Sequence, residues 1–158
     1  MSRIEGLGQV VHGQDRILIL GSIASVESLA KGYHYAHPSN RFWKVLAQIY
    51  QQPIDTLEDK KQILADHAIA LWDTCRSCQR EGSADASIKA IEPNDIPAFL
   101  KANPSIETIV CNGNVSYQTM KKTYPQIQCI KCPSTSAANA RWSLDALVKE
   151  YGKWLKNE

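Results

Sequence analysis

The chain has no apolar run of about 18 residues, so its sequence offers nothing to span a membrane. Its first residues, "MSRIEGLGQVVHGQDR", contain no apolar core of the kind a secretory signal needs. It also lacks strong charge of either sign: 18 Lys and Arg stand against 16 Asp and Glu, a formal net charge of +2. Proteins that live by non-specific attraction to phosphate are usually more basic, so an anionic partner is permitted but not demanded. Repeats, low-complexity stretches and linkers are absent from the sequence. At 158 residues this predicts one domain, 1–158, with enough chain for a proper core.

Cysteine is scarce and odd in number: Cys75, Cys78, Cys111, Cys129 and Cys132. Without an export signal, five cysteines predict free thiols in a reducing cytoplasm rather than a disulfide framework. Two pairs have CxxC spacing, which elsewhere grips zinc. Here the pairs lie far apart in sequence, and the second falls in "IQCIKC", read as a strand whose positions three apart point to opposite faces. Small buried core residues are the better reading, and no metal or other cofactor is expected.

Four short apolar runs read as buried strands: "RILILG" (16–21), "AIALWD" (68–73), "TIVCN" (108–112) and "IQCIK" (127–131). They are nearly continuous rather than alternating, as in a parallel sheet covered on both faces. Helical patterns cover 41–51, 56–67 with Thr56 as N-cap, 94–103, 114–124 and 143–156. Residues 78–96 look like neither helix nor strand and are read as a partly ordered loop. Alternating strands and helices predict a three-layer α/β/α sandwich around a four-stranded parallel sheet. In such sheets function gathers at the carboxyl ends of the strands, here after Gly21, Asp73, Asn112 and Cys132.

After Gly21, the hydroxyls of Ser22, Ser25 and Ser28 sit in a stretch that is not a phosphate-binding P-loop, because no G-x-x-x-x-G-K-[ST] is present. After Cys132, "PSTSAANARW" offers Ser134, Thr135 and Ser136 at a helix entrance, either to seat a phosphate or to cap the last helix. Between them in function lies "GYHYAHPSNRFW" (32–43), aromatic and polar yet almost uncharged. Tyr33 and Tyr35 offer flat faces, and Asn40 an amide that both donates and accepts. Such a wall suits a planar, neutral, hydrogen-bonding ligand, and an extruded nucleobase is one.

These segments carry a resemblance. "ILILGSIASVESLAKGYHYAHPSNRFWKVLA", "IALWDTCRSCQREGSADASI" and "CPSTSAANA" resemble the uracil-DNA glycosylase superfamily, nearest the hypoxanthine-DNA glycosylase (DNA-deoxyinosine glycosylase) branch. The likeness runs from about Ile17 to Arg141 and rests on two specific motifs, H-P-x-N-x-F-W and P-S-T-S-x-A-N-A. It implies a monomeric enzyme that flips a deaminated base from double-stranded DNA and hydrolyses its N-glycosidic bond without a metal. Hypoxanthine is the expected base. Uracil from mismatches is the sister activity, and a non-cutting module for nucleotides or damaged DNA is the alternative from another class. Many relatives carry an Asn or Asp two residues after the first motif's glycine; here Ile23 stands there, with Ala24 next, a departure that would reshape the pocket floor or, in the non-cutting alternative, disable the site.

The resemblance makes Asn40 the catalytic amide, holding water beside the sugar; the plainer reading is a helix N-cap. Tyr35 would stack on the base, or serve as a core tyrosine. Gly21, Ser22, Ile23, Trp72 and Asp73 would line the base pocket, with Asp73 accepting a purine N–H, assisting the water, or capping the next stretch of chain. Ser25, His37, Ser134, Thr135, Ser136 and Asn139 are candidates for phosphate contact or the wedge behind the flipped base. Arg76, Arg80, Lys131 and Arg141 are candidate DNA contacts or ordinary solvated charges.

Overall fold

The four apolar runs become one parallel sheet in the computed structural model, which describes residues 3–156. The elements in chain order are β1 (Arg3–Glu5), β2 (Ile17–Gly21), α1 (Val26–Lys31), α2 (Phe42–Tyr50), α3 (Leu57–Asp66), β3 (Ile69–Asp73), β4 (Cys75–Gln79), β5 (Lys89–Pro93), α4 (Ile96–Ala102), β6 (Thr108–Asn112), α5 (Asn114–Thr123), β7 (Ile130–Cys132) and α6 (Leu144–Leu155). The parallel sheet has the order β3-β2-β6-β7.

Side-chain alternation along β2 explains the layers. Ile17 and Ile19 pack with Phe42, Leu46, Ile63 and Tyr151 of α2, α3 and α6. Leu18 and Leu20 point the other way, toward Ile96, Phe99 and Met120 of α4 and α5. Both faces are therefore apolar, and period two vanishes from the sequence. Each fully buried Leu or Ile contributes about 1.5–3 kcal/mol relative to exposure. The helix ends follow local chemistry. Thr56 and Asp59 form a reciprocal capping box on α3, and the Asp95 carboxylate accepts from the Ala98 N–H at the start of α4. No helix among the described residues is long and apolar enough to cross a membrane.

Two expectations need correction, for residues 78–96 and for the last strand, and one short helix adds to the elements read from sequence. Residues 78–96 include the end of β4 and all of β5, which pair antiparallel in a second sheet of order β1-β4-β5. These strands are short and polar, and β5 is largely exposed, so no apolar run marks them. The stretch after Gly21 contains α1, a six-residue helix capped by the Ser25 hydroxyl and closed by Gly32 at φ 80°. The last strand is β7, shorter and later than 127–131. It pairs only Ile130, Lys131 and Cys132 with β6. Cys129 thus precedes the strand and packs with the α4/α5 layer, whereas Cys132 packs with the α2/α6 layer.

Candidate active site

A crevice of about 720 Å³ opens over the carboxyl ends of all four parallel strands. The last residue of each strand, Gly21, Asp73, Asn112 and Cys132, lines it. The first and last of these strands in sequence, β2 and β7, are not neighbours, because β6 lies between them. Their loops meet nonetheless, through side chains.

Asn40 makes the junction. Its carboxamide oxygen accepts from the Phe42 backbone N–H at 2.9 Å and from the Thr135 hydroxyl at 2.8 Å. The N-cap of α2 is Arg41, not Asn40 as expected; Asn40 sits one residue earlier and still holds the helix's first N–H while lining the crevice. Thr135 is held by Asn112: its N–H donates to Asn112 Oδ1 at 3.0 Å, and Asn112 Nδ2 donates to its hydroxyl at 3.0 Å. Thr135 is 1% exposed, so this network is shielded from water. With both lone pairs of its oxygen engaged, Asn40 has its Nδ2 hydrogens to offer a ligand.

Arg41, the next residue, organises the last loop. Its guanidinium donates to the backbone carbonyls of Thr135, Trp142, Ser136 and Asn139, and its own N–H donates to the Thr135 carbonyl at 3.0 Å. Within the loop, Ser134 Oγ accepts from the Ser136 N–H and Ser136 Oγ from the Ala138 N–H. Asn139 Nδ2 donates to the Ser134 carbonyl at 3.0 Å. Ala137 and Ala138 are exposed beside these turns. Beneath the loop, the buried Tyr151 hydroxyl donates to the Pro133 carbonyl at 2.6 Å, and burial raises its pKa well above the ordinary phenol value. Burial likewise pushes the Cys132 thiol up to about 12.

The floor is built from Gly21, His34, Tyr35 and Asp73, with the buried side chains of Ile23 and Ala24 beside them. Tyr35 has φ 58°, an unusual conformation for a bulky residue. Its ring stacks on Phe42 with centroids 4.0 Å apart. A Cβ on Gly21 would lie 2.7 Å from Asp73 Oδ1 and 3.1 Å from the Tyr35 hydroxyl oxygen, so any side chain there must push Asp73 aside. His34 is anchored through Nε2 to the Gly8 carbonyl at 3.0 Å, and its own carbonyl accepts from Trp43 Nε1 at 3.1 Å.

The crevice at the sheet's carboxyl edge thus has an amide held over it, an ordered Ser/Thr loop at its rim, and Asp73, His34, His37 and Lys131 among its titratable lining. The sequence model of the uracil DNA glycosylase superfamily matches residues 8–156. The chain belongs to that superfamily. It is 32% identical over 142 residues to a protein of Methanosarcina acetivorans named hypoxanthine DNA glycosylase, covering 87% of this chain and 89% of that one. A protein of the same name from Methanosarcina barkeri is 31% identical over 114 residues, 71% of this chain and 72% of its own. The fold is also similar to the solution NMR structure of a candidate uracil DNA glycosylase from Methanosarcina acetivorans. That likeness has a TM-score of 0.83 at 29% identity and covers 98% of each chain.

In this glycosylase the crevice gathers Asn40, Gly21, Ser22, Ile23, Tyr35, Asp73, Ser25, His37, Ser134, Thr135, Ser136 and Asn139. Trp72 is not among its lining residues. One step along β3 turns it to the other face of the sheet, where its ring lies 5.2 Å from that of Phe99. Ser25 is the N-cap of α1, accepting from the Ser28 N–H at 3.1 Å. Exposed His37 has its Nδ1 beside the Ser39 N–H and hydroxyl. Asn139 is tied into its loop, which leaves it badly placed to protrude as a wedge. Arg80 is 4% exposed and donates to the carbonyls of Gly82, Ile23 and Ala24, so it fastens the pocket floor instead of reaching toward DNA. Arg76 and Arg141 are exposed, and Lys131 lines the crevice. Sequence reading passed over Asn112, Arg41 and His34. Asn112 stood at a strand's carboxyl end, which was signal enough to name it. The other two act on backbone groups distant in the chain.

Proposed function

We propose that this DNA glycosylase draws a deaminated base from double-stranded DNA into its crevice and hydrolyses the N-glycosidic bond. The base is hypoxanthine, released from deoxyinosine to leave an abasic site. The observation that carries this reading is Asn40, fixed by Phe42 and Thr135 so that its amide hydrogens remain for a ligand at the crevice. The relatives named hypoxanthine DNA glycosylase support the choice of base.

In this reading Tyr35 stacks on the extruded base and Asp73 meets its polar edge. Asn40 Nδ2 donates to the oxygen of a water, whose remaining lone pair faces the anomeric carbon. An amide takes no proton at neutral pH, so it works by position and polarity. As the bond to the base lengthens, positive charge gathers on the sugar and negative charge on the base. The Ser134 and Ser136 hydroxyls, on a loop held by Arg41, meet the DNA phosphates. The enzyme acts in the cytoplasm as a monomer of one domain.

The test is a panel of end-labelled duplexes carrying inosine, xanthine or uracil, treated with enzyme and then alkali. Strand cleavage at inosine is expected. Cleavage only at uracil, or tight binding without cleavage, overturns the reading.

A further inference from the structure

The consecutive residues Gly21, Ser22, Ile23 and Ala24 all line the crevice, yet their backbone carbonyls are engaged elsewhere. The Gly21 carbonyl accepts from the Thr74 N–H at 2.9 Å and from the Thr74 hydroxyl at 3.2 Å. The Ser22 carbonyl accepts from the Cys75 N–H at 2.9 Å. The next two carbonyls go to the Arg80 guanidinium. Nη1 donates to Ile23 at 3.4 Å and Nη2 to Ala24 at 2.9 Å. Nε donates to the Gly82 carbonyl at 2.7 Å, which ties in the loop whose Ser83 and Ala84 form another part of the crevice wall. Thr74, Cys75 and Arg80 are buried and do not belong to the lining. The floor therefore turns its backbone acceptors away from the space a base would occupy. A planar guanidinium, with its fork of donors, can hold three carbonyls at once, which a single ammonium cannot match.

Acceptors matter because of what deamination does to a base. It replaces an exocyclic amino group, which donates, by a carbonyl, which accepts. Hypoxanthine differs from guanine only in lacking the 2-amino group. Ile23 and Ala24 bring no polar side chain, so their carbonyls are the acceptors these two residues could offer. Turned into the pocket, such a carbonyl would reward guanine for its amino group. Held behind the floor, it leaves that group out of water without a floor acceptor, and an unpaired buried donor is costly. The ring N1–H, common to both purines, still meets Asp73. We propose that Arg80 is a specificity-determining residue, which holds the Ile23 and Ala24 carbonyls behind the floor and so makes the pocket reject guanine. It acts through the backbone and is a positioning residue. This rests on the reading that the enzyme releases hypoxanthine.

The experiment is single-turnover excision, with enzyme in excess, from duplexes carrying inosine or guanine opposite thymine. Both are wobble pairs, and the bases differ by the amino group alone. Wild type, Arg80→Met and Arg80→Lys are compared, with circular dichroism to confirm folding. Arg80→Met keeps the length of the stem and removes every donor. It should release hypoxanthine more slowly and gain release of guanine, so that the preference for hypoxanthine falls by about tenfold or more. Arg80→Lys supplies one ammonium for three carbonyls and should fall between wild type and Arg80→Met; it carries the test if Arg80→Met does not fold. A residue that merely stabilises the fold would slow both reactions alike. No gain of guanine release in any folded variant, or loss of the fold in both variants, overturns this inference alone. A wild type that releases no hypoxanthine overturns the proposed function as well.

Discussion

The Thr135 hydroxyl donates to the Asn40 carboxamide oxygen across 2.8 Å, joining residues 95 apart in sequence. This bond fixes which end of the amide the crevice receives. Asn40→Ala is expected to lose base excision by about a hundredfold or more, the usual cost of removing an essential positioned donor. It should keep most of its affinity for undamaged duplex. Thr135→Val keeps the volume, frees the amide to rotate, and should cut excision while leaving phosphate contacts in place. Near-normal excision by a folded Asn40→Ala protein would show that the amide only holds the start of α2 and Thr135 in place.

Arg41 donates to four carbonyls of the 135–142 segment. Hydrogen bonds to charged groups contribute about 1.5–3 kcal/mol each, and carbonyls left buried without partners cost more. Arg41→Met should therefore lower stability by about 2 kcal/mol or more and raise hydrogen exchange across 134–142. Duplex binding should weaken more than excision of already bound substrate. If exchange in that segment is unchanged, the guanidinium does not hold the loop.

Much of the sheet was legible because β2, β3 and β6 are buried on both faces and read as unbroken apolar runs. The second sheet was not, because β5 exposes nearly every residue and β4 mixes Arg and Ser with Cys. The crevice followed from the strand-end rule together with the two motifs. The rule does not tell which face a side chain takes, and that is why Trp72 was grouped with Asp73, its neighbour on β3. Arg41, Arg80 and His34 act on carbonyls of distant segments. No local pattern in sequence announces such bonds.

Gly21 leaves no free space for a side chain unless Asp73 moves. A methyl group there would sit 2.7 Å from Asp73 Oδ1 and 3.1 Å from the Tyr35 hydroxyl. Gly21→Ala should drive these groups apart and depress excision far more than undamaged duplex binding. The check is excision rate and duplex affinity measured side by side. Normal excision by Gly21→Ala would mean that the arrangement of Asp73 and Tyr35 is immaterial to catalysis.

The five cysteines occupy three different parts of the core: Cys75 and Cys78 in one, Cys132 in another, Cys111 and Cys129 in the third. Burial raises the Cys111 thiol and takes Cys132 to about 12, so neither supplies thiolate at neutral pH. Cys129 alone is partly exposed. One thiol reagent per native chain should react promptly, at Cys129 by peptide mapping, and the rest only on unfolding. Exhaustive chelation should leave activity intact. About one equivalent of zinc per chain in metal analysis would show that the CxxC pairs have been misread.

Tyr35 gives the sharpest separation of damaged from ordinary DNA. One face of its ring rests on Phe42, and the residue lines the crevice. A base stacking on it contributes about 1–3 kcal/mol, a factor of roughly five to a hundred and fifty in productive binding. Phosphate contacts around Ser134 and Ser136 act on any duplex and weaken with salt. Tyr35→Ala should therefore impair hypoxanthine excision while leaving undamaged duplex binding almost unchanged, and Tyr35→Phe should be mild because the ring remains. The backbone supplies a control. At φ 58° a side chain is strained, so Tyr35→Gly relieves the backbone while removing the ring. If stacking is the function, Tyr35→Gly is as defective in excision as Tyr35→Ala and at least as stable. Excision restored in Tyr35→Gly, or equal weakening of damaged and undamaged duplex by Tyr35→Ala, would mean that the loop's shape matters and the aromatic platform does not.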